Sequence, residues 1–263
     1  MLEDITPLVI TYNEAANIAR TLDRLTWAHR IVVVDSGSTD RTLEIIGSYP
    51  QAEVIHRPFD NFASQCNFGI SQVATEWVLS LDADYELSEA LVTELRNLRP
   101  PASIAGFRAR FIYRICGQPL RGTLYPPRTV LYRKDRASYR NEGHGHRVVV
   151  AGEIAPLSGV IYHDDRKPLA RWIVSQQQYA CLEAEHLLAC DPKALGRTDR
   201  IRLAAWLAPA AVFIYTLIFK GCLLDGWRGW YYALQRLLAE TMIALEIIDR
   251  RLGPVLRSSS HRS

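Results

Sequence analysis

The chain has little sulfur and little lysine: five cysteines, two methionines, and lysine only at positions 134, 167, 193 and 220 of 263. Cys66, Cys116, Cys181, Cys190 and Cys222 are scattered without a Cys-x-x-Cys pair. That spacing argues against the common zinc and dithiol frameworks and predicts reduced thiols. No apolar h-region follows Met1, so the sequence predicts a cytoplasmic protein. Thirty-one basic against 28 acidic residues leave a net charge of +3, too mild to argue for nucleic-acid binding. There is no internal repeat. The uncharged stretch 203–219 carries Pro209 inside it and falls short of the roughly 20 apolar residues a bilayer crossing needs.

What is present is more specific. Trp77-Val78-Leu79-Ser80-Leu81 is an apolar run that ends in two carboxylates one residue apart, Asp82 and Asp84. Like charges about 4 Å apart repel by about 4 kcal/mol at an intermediate dielectric, so the pair invites a cation or a proton. A hard divalent ion, Mg²⁺ or Mn²⁺, is the natural guest. Such ions take one or two carboxylates and let substrate phosphates complete the shell, which points to a nucleotide diphosphate.

Upstream, Leu8-Val9-Ile10-Thr11 reads as a strand that stops at Tyr12-Asn13-Glu14 before a helical pattern. Ile31-Val32-Val33-Val34-Asp35 repeats the arrangement, with a turn at Ser36–Asp40 and a helix opening at Thr42. A strand at 53–56 and a helix at 62–73 lead to the strand that delivers Asp82. Strands alternating with helices predict an α/β fold with a mostly parallel sheet covered on both faces. Ligands in such sheets bind beyond the carboxyl ends of the strands, where Asn13, Glu14, Asp35, Asp82 and Asp84 all fall.

These three signatures, Ile10–Glu14, Val33–Thr42 and Leu81–Asp84, resemble in order and spacing the inverting family-2 glycosyltransferases of the GT-A fold. The resemblance implies that Thr11, Tyr12, Asn13, Glu14, Asp35 and Ser36 hold the nucleotide, with Asp82 beside them. It implies that Asp84, helped by Asp82, holds the metal. Asn67, on the helix before the metal strand, joins the nucleotide set by the same resemblance, although Gln65 stands where such enzymes often have a basic residue.

The middle third should supply the acceptor side. Strands are predicted at 104–111 and 129–133, with a turn at 117–121 and a strand at 147–150. An inverting transfer needs a carboxylate or histidine to take the acceptor's proton. The polar loop Asn141-Glu142-Gly143-His144-Gly145-His146 offers Glu142, His144 and His146, and the resemblance favours Glu142. His163, at the end of the apolar run 160–162, is similar in place to a histidine that completes the metal shell in several GT-A enzymes. Asp164 and Asp165 are placed to cap a helix starting near Pro168.

Residues 200–252 read as a helical hairpin lying on or dipping into a membrane leaflet, because aromatic residues crowd around Lys220 and Arg228. The sequence therefore predicts a GT-A catalytic domain over 1–168, a helical membrane-associating region over 169–256 and a disordered tail over 257–263. The segments 163–169 and 220–229 resemble the enzymes that add a hexose to the inner core of lipopolysaccharide. That resemblance implies transfer, with inversion, from a nucleoside-diphosphate donor, uridine-linked by the same resemblance, to a lipid-anchored glycan, on the cytoplasmic face of the inner membrane. Two other readings fit the first half of the chain: a polyprenyl-phosphate glycosyltransferase, which would need no protein base, and a non-catalytic sugar-nucleotide-binding protein. A nucleotidyltransferase fits least, since no Gly-rich phosphate loop follows the first strand.

Overall fold

In a computed structural model, which describes residues 1–142 and 145–259 with the side chains of 142, 145, 146 and 253–259 excepted, the apolar β-branched runs become strands that end where the sequence turns polar. β1 (Ile5–Thr11), β2 (Ile31–Asp35), β3 (Ala52–His56) and β4 (Trp77–Asp82) lie parallel in the order β3-β2-β1-β4. Consecutive residues alternate between two cores: Val9, Val33 and Leu79 face one, Leu8, Val32 and Val78 the other. The crossovers run through α1 (Ile18–Asp23), α2 (Thr42–Ile46) and α3 (Phe62–Ser71). Asn61 caps α3 by accepting the Ser64 N–H.

Beyond β4 the strand directions mix. β5 (Tyr85–Leu87) and α4 (Glu89–Asn97) precede β6 (Ile104–Ile115), β7 (Gln118–Pro119), β8 (Arg128–Arg133), β9 (Ala137–Glu142), β10 (Gly145–Val150) and β11 (Glu153–His163). The sheet continues β4-β8-β6-β11-β5: β8 is antiparallel to β4 and β6, β11 is parallel to β6, and β5 is antiparallel to β11. The doubly wound parallel pattern thus holds for the first half and gives way in the second. One consequence is local to the chemistry, because the β11–β5 ladder sets His163 opposite Tyr85.

β9 and β10 form a separate hairpin in which Glu142 pairs with Gly145 and Asn141 with His146. The stretch read as a loop from its glycines is thus partly strand. The run 147–150 needs a partner for its backbone groups, and 137–140 supplies it.

The chain divides into two compact units, one of Met1–Pro119 with Thr123–Lys167, the other of Leu120–Gly122 with Pro168–Ser263. The second contains α5 (Leu169–Ala189), α6 (Arg197–Leu203), α7 (Ala208–Ile214) prolonged by a π-helical turn at Tyr215–Phe219, and α8 (Trp227–Ser259). α8 enters the expected tail, whose last four residues lie outside the described ones. Its small core includes Ala184, Leu187, Ala244 and Ile247. The start of α8 is packed tightly on the turn before it: a Cβ on Gly229 would lie 1.7 Å from the Cys222 carbonyl oxygen. Among the described residues no helix is long and apolar enough to cross a membrane.

Candidate active site

The carboxyl ends of β1 and β2 carry two loops laced together by side chains. Asn13 has φ 55, a left-handed conformation that Asn tolerates better than most residues. From there its Oδ1 accepts the N–H groups of Thr39 and Asp40 at 2.6 and 3.1 Å, while its own N–H donates to Ser38 Oγ at 2.8 Å. The Glu14 N–H donates to Thr42 Oγ1 at 2.7 Å. Asp35 is fully buried, and its carboxylate accepts the N–H groups of Gly37 and Ser38, each at 2.9 Å, and the Ser38 hydroxyl at 2.5 Å. Asp35 and Asn13 therefore set the shape of the two loops. Ser36 accepts from Gln65 Nε2 at 2.8 Å, and Thr11 Oγ1 is buried without a partner among the described residues. Tyr12, between Thr11 and Asn13, is 53% exposed.

Next to these loops, β4 ends in Asp82, and Asp84 follows in the turn to β5. Asp82 is half-buried, and its carboxylate has no hydrogen bond or ion pair among the described residues. Asp84 is buried, with Oδ2 3.1 Å from His163 Nε2. Burial alone would raise the Asp84 carboxyl, but the His163 charge and hydrogen bond overcome it and hold the group down at about 2. Burial likewise works against the His163 cation, and Asp84 lifts its pKa above the ordinary value. Tyr85, Tyr113 and Tyr125 rings surround the imidazole at 4.7 to 5.2 Å, and its Nδ1 is buried without a partner among the described residues.

A divalent ion fits this pair. Two donors on adjacent corners of an octahedron of radius about 2.1 Å lie about 3 Å apart, close to the 3.1 Å observed. No group of three His, Cys, Asp or Glu converges among the described residues. The protein thus offers a partial shell, of the kind that Mg²⁺ or Mn²⁺ completes with substrate phosphates and water.

Behind the aspartates lies a charged network. Glu14 Oε1 accepts from Lys167 Nζ at 2.6 Å and Oε2 from Asn17 Nδ2 at 2.8 Å. Lys167 also stands 3.7 Å from Asp165. Burial, and next the Asp84 charge, push the Glu14 carboxyl up to about 7 against the pull of Lys167. Asp164 and Asp165 do not cap α5. Asp165 accepts from Asn17 and the Lys167 N–H, and Asp164 from Arg166 and the Gly117 N–H.

The structure thus gathers Asn13, Glu14, Asp35 and Ser36 in one set of loops, and Asp84 with His163 in one contact. The Asn67 amide is engaged with β9. That side chain donates to the Tyr139 carbonyl at 3.0 Å and accepts the Tyr139 N–H at 2.8 Å, so it bridges α3 to β9. The side chains of Glu142 and His146, and His144 altogether, lie outside the described residues.

Sequence reasoning missed Arg128 and Tyr125. Arg128 starts β8, is exposed, and lies over the Tyr125 ring at 4.5 Å. Partial desolvation works against its cation, but the tyrosine oxygens of 85 and 125 and the Asp82 carboxylate raise its pKa above the ordinary value. It has no ion pair among the described residues. No motif marks it, and only the β8–β6 register brings it to this edge.

The family model for glycosyl transferase family 2 matches residues 8–135. An uncharacterized glycosyltransferase of Rickettsia felis is 30% identical over 202 residues, 71% of either chain. The lipopolysaccharide core biosynthesis glycosyltransferase LpsC of Rhizobium meliloti is 28% identical over 196 residues, 69% of this chain and 70% of its own. Among solved structures, the mannosyltransferase PcManGT from Pyrobaculum calidifontis, in complex with GDP-Man and Mn²⁺, superposes with a TM-score of 0.54 at 15% identity, covering 92% of this chain and 87% of that one. S. aureus TarS 1-349 in complex with UDP-GlcNAc gives 0.51 at 16%, covering 95% and 92%. Those likenesses show the GT-A fold. By its sequence relatives and its fold, the chain belongs to glycosyl transferase family 2.

Proposed function

We propose that the protein transfers a hexose, with inversion, from a nucleoside-diphosphate sugar to a lipid-linked glycan such as the inner core of lipopolysaccharide, at the cytoplasmic leaflet of the inner membrane. The observation that carries the reading is the Asp84–His163 pair, 3.1 Å apart beside the laced loops that end β1 and β2. The likeness to LpsC supports the acceptor class. A uridine-linked donor is the choice the motifs suggest.

Tyr12 stacks on the base, and the Asn13–Asp40 and Asp35–Ser38 lacing fixes the loops that receive the ribose, with Thr11 and Ser36 at their edge. Asp84 and His163, with Asp82 beside them, would hold Mg²⁺ or Mn²⁺, which supplies positive charge to the leaving diphosphate. Lys167 adds a second positive charge near Asp84, held in place by Glu14 and Asp165. Glu142 takes the proton from the acceptor hydroxyl as it attacks the anomeric carbon.

The test is a transfer assay on purified protein with a panel of uridine-diphosphate hexoses, Mg²⁺ or Mn²⁺, and core lipopolysaccharide. Transfer that needs donor, metal and acceptor is the expected result, and Glu142→Gln should keep donor binding while losing transfer. Tight nucleotide binding with no turnover of any donor would overturn the reading in favour of a binding protein.

A further inference from the structure

Between Trp206 and Leu245 the helical unit turns large apolar residues outward, and no charged residue of that stretch is exposed. A helix against water normally does the reverse, with charges on its outer face. In α8 the exposed positions from Trp227 to Leu245 are Trp227, Trp230, Leu234, Leu238 and Leu245, without a charge among them, and exposed charges appear only beyond, at Asp249, Arg250 and Arg251. Glu240, on the inner side of the same helix, is buried and accepts from Arg202, which also reaches the buried Glu183 at 3.3 Å. The segment before α8 continues the pattern: Trp206 is 81% exposed, Phe219 75% and Leu224 68%. The Phe213 and Trp230 rings, 6.0 Å apart, join the two stretches side by side. Scattered apolar residues on a surface are ordinary, but a joined face of this kind marks a site of association.

We propose that this face docks on an anionic lipid leaflet, with the helices lying in the boundary between headgroups and acyl chains. Charge decides the occupant. Between residues 204 and 239 the charged residues are Lys220, Asp225, Arg228 and Arg236. Asp225 is already paired with Arg121 and accepts its N–H, whereas none of the three cations has an ion-pair partner among the described residues. Lys220 Nζ lies 5.6 Å from the Tyr215 ring and the Arg228 guanidinium 4.8 Å from Trp227, both exposed aromatics. A cation beside an exposed aromatic is the pairing that settles at headgroup level, with the ring at the interface and the charge on phosphate. A second copy of the chain docking by two-fold symmetry would instead bring the same unneutralised cations together. The tight contact of Gly229 with Cys222 holds Trp227 and Trp230 on a firm support. The inference names the partner of the lipid-linked acceptor reading and rests on it only for biological sense, since its observations are confined to this surface.

The test is flotation of the full chain with phosphatidylcholine vesicles, with and without phosphatidylglycerol. Binding should require the anionic lipid, weaken with salt, shift tryptophan emission to the blue, and allow quenching by bromine-labelled acyl chains. Phe219→Glu with Leu224→Glu, both exposed and so neutral for folding by circular dichroism, should lower partitioning by about tenfold or more. Lys220→Gln with Arg228→Gln should remove the preference for phosphatidylglycerol. Wild-type protein that stays off anionic vesicles at low salt, or an undiminished Phe219→Glu/Leu224→Glu variant, overturns the proposal. A lipid-independent dimer that this variant dissolves assigns the face to a second copy instead and overturns it too. Vesicle binding without transfer to any acceptor would sink the proposed function and leave this surface standing.

Discussion

Asp84 Oδ2 and His163 Nε2 meet at 3.1 Å across 79 positions of sequence. The topology explains how. β5 turns back from Asp84, pairs antiparallel with the end of β11, and so returns His163 to the turn it left. In the metal-free protein the two form an ion pair where His163 is protonated, with the carboxyl held down at about 2 and the imidazole pKa raised. An ion that binds there must displace the imidazolium proton. Mn²⁺ affinity should therefore weaken as pH falls through the raised His163 pKa, by up to about tenfold per pH unit for one displaced proton. Calorimetric titration at several pH values checks this, and His163→Ala should flatten the profile. Asp84→Ala should cut transfer by about a hundredfold or more, as expected when preorganised charge is lost from a reacting centre. Chelation of the metal should do the same reversibly.

Glu14 makes a prediction of opposite sign to an ordinary surface carboxylate. Its pKa is pushed from 4.5 up to about 7, first by burial and then by Asp84. The folded state therefore holds the proton more tightly than the unfolded chain. The corresponding stability is fully present below pH 4.5 and is lost as pH rises to about 7. Glu14→Gln removes this dependence. Relative to wild type, the variant should gain on the order of 3 kcal/mol between pH 4.5 and pH 8, measured by denaturant unfolding of the metal-free protein. Parallel pH profiles of the two proteins would show that Lys167 keeps Glu14 ionised throughout.

Arg128 is exposed, stacked on Tyr125 and within the field of Asp82, yet has no carboxylate partner among the described residues. A guanidinium so placed suits an anionic group on a substrate, at about 1.5–3 kcal/mol for a charge-assisted hydrogen bond. Arg128→Gln should lower kcat/KM by about tenfold or more while moving unfolding free energy by less than about 0.5 kcal/mol. Donor and acceptor KM, measured separately, show which substrate carries the anion. An unchanged kcat/KM for both would remove Arg128 from the site.

How much of this was legible follows from where each constraint acts. The strand ends that carry Asn13, Asp35 and Asp82 could be read because a buried parallel strand must be a continuous apolar run and its polar stop is abrupt. Asp84 and His163 were each singled out, but their contact depends on the β5–β11 pairing, a three-residue ladder with no local signal. The β9–β10 hairpin was hidden by glycines that read as loop. Arg128 has no motif at all, and Asn67 carried a nucleotide reading where the structure has both amide atoms on the Tyr139 backbone. Local composition announces strands and turns, but nothing local announces which distant strand will become a neighbour.

Arg202 supplies the last prediction, and it concerns stability. The core of the helical unit is small, and at its margin Arg202 bridges Glu240 at 2.5 Å and Glu183 at 3.3 Å, with both carboxylates buried. Removing the cation alone strands negative charge in an apolar surrounding, at a cost of about 3–5 kcal/mol for a broken buried pair. Arg202→Met should lower unfolding free energy by about that much. Arg202→Met with Glu240→Leu should recover part of it, because an apolar replacement of similar volume removes one of the two stranded carboxylates and leaves Glu183. Denaturant titration of the two variants decides the matter. If the single variant costs under about 1 kcal/mol, solvent reaches the carboxylates, and the interior of this unit is wetter than the buried glutamates indicate. If the double variant recovers that part, the Arg202–Glu240 pair is dispensable for folding. The outward apolar residues between Trp206 and Leu245 would then have to be explained by what that face touches.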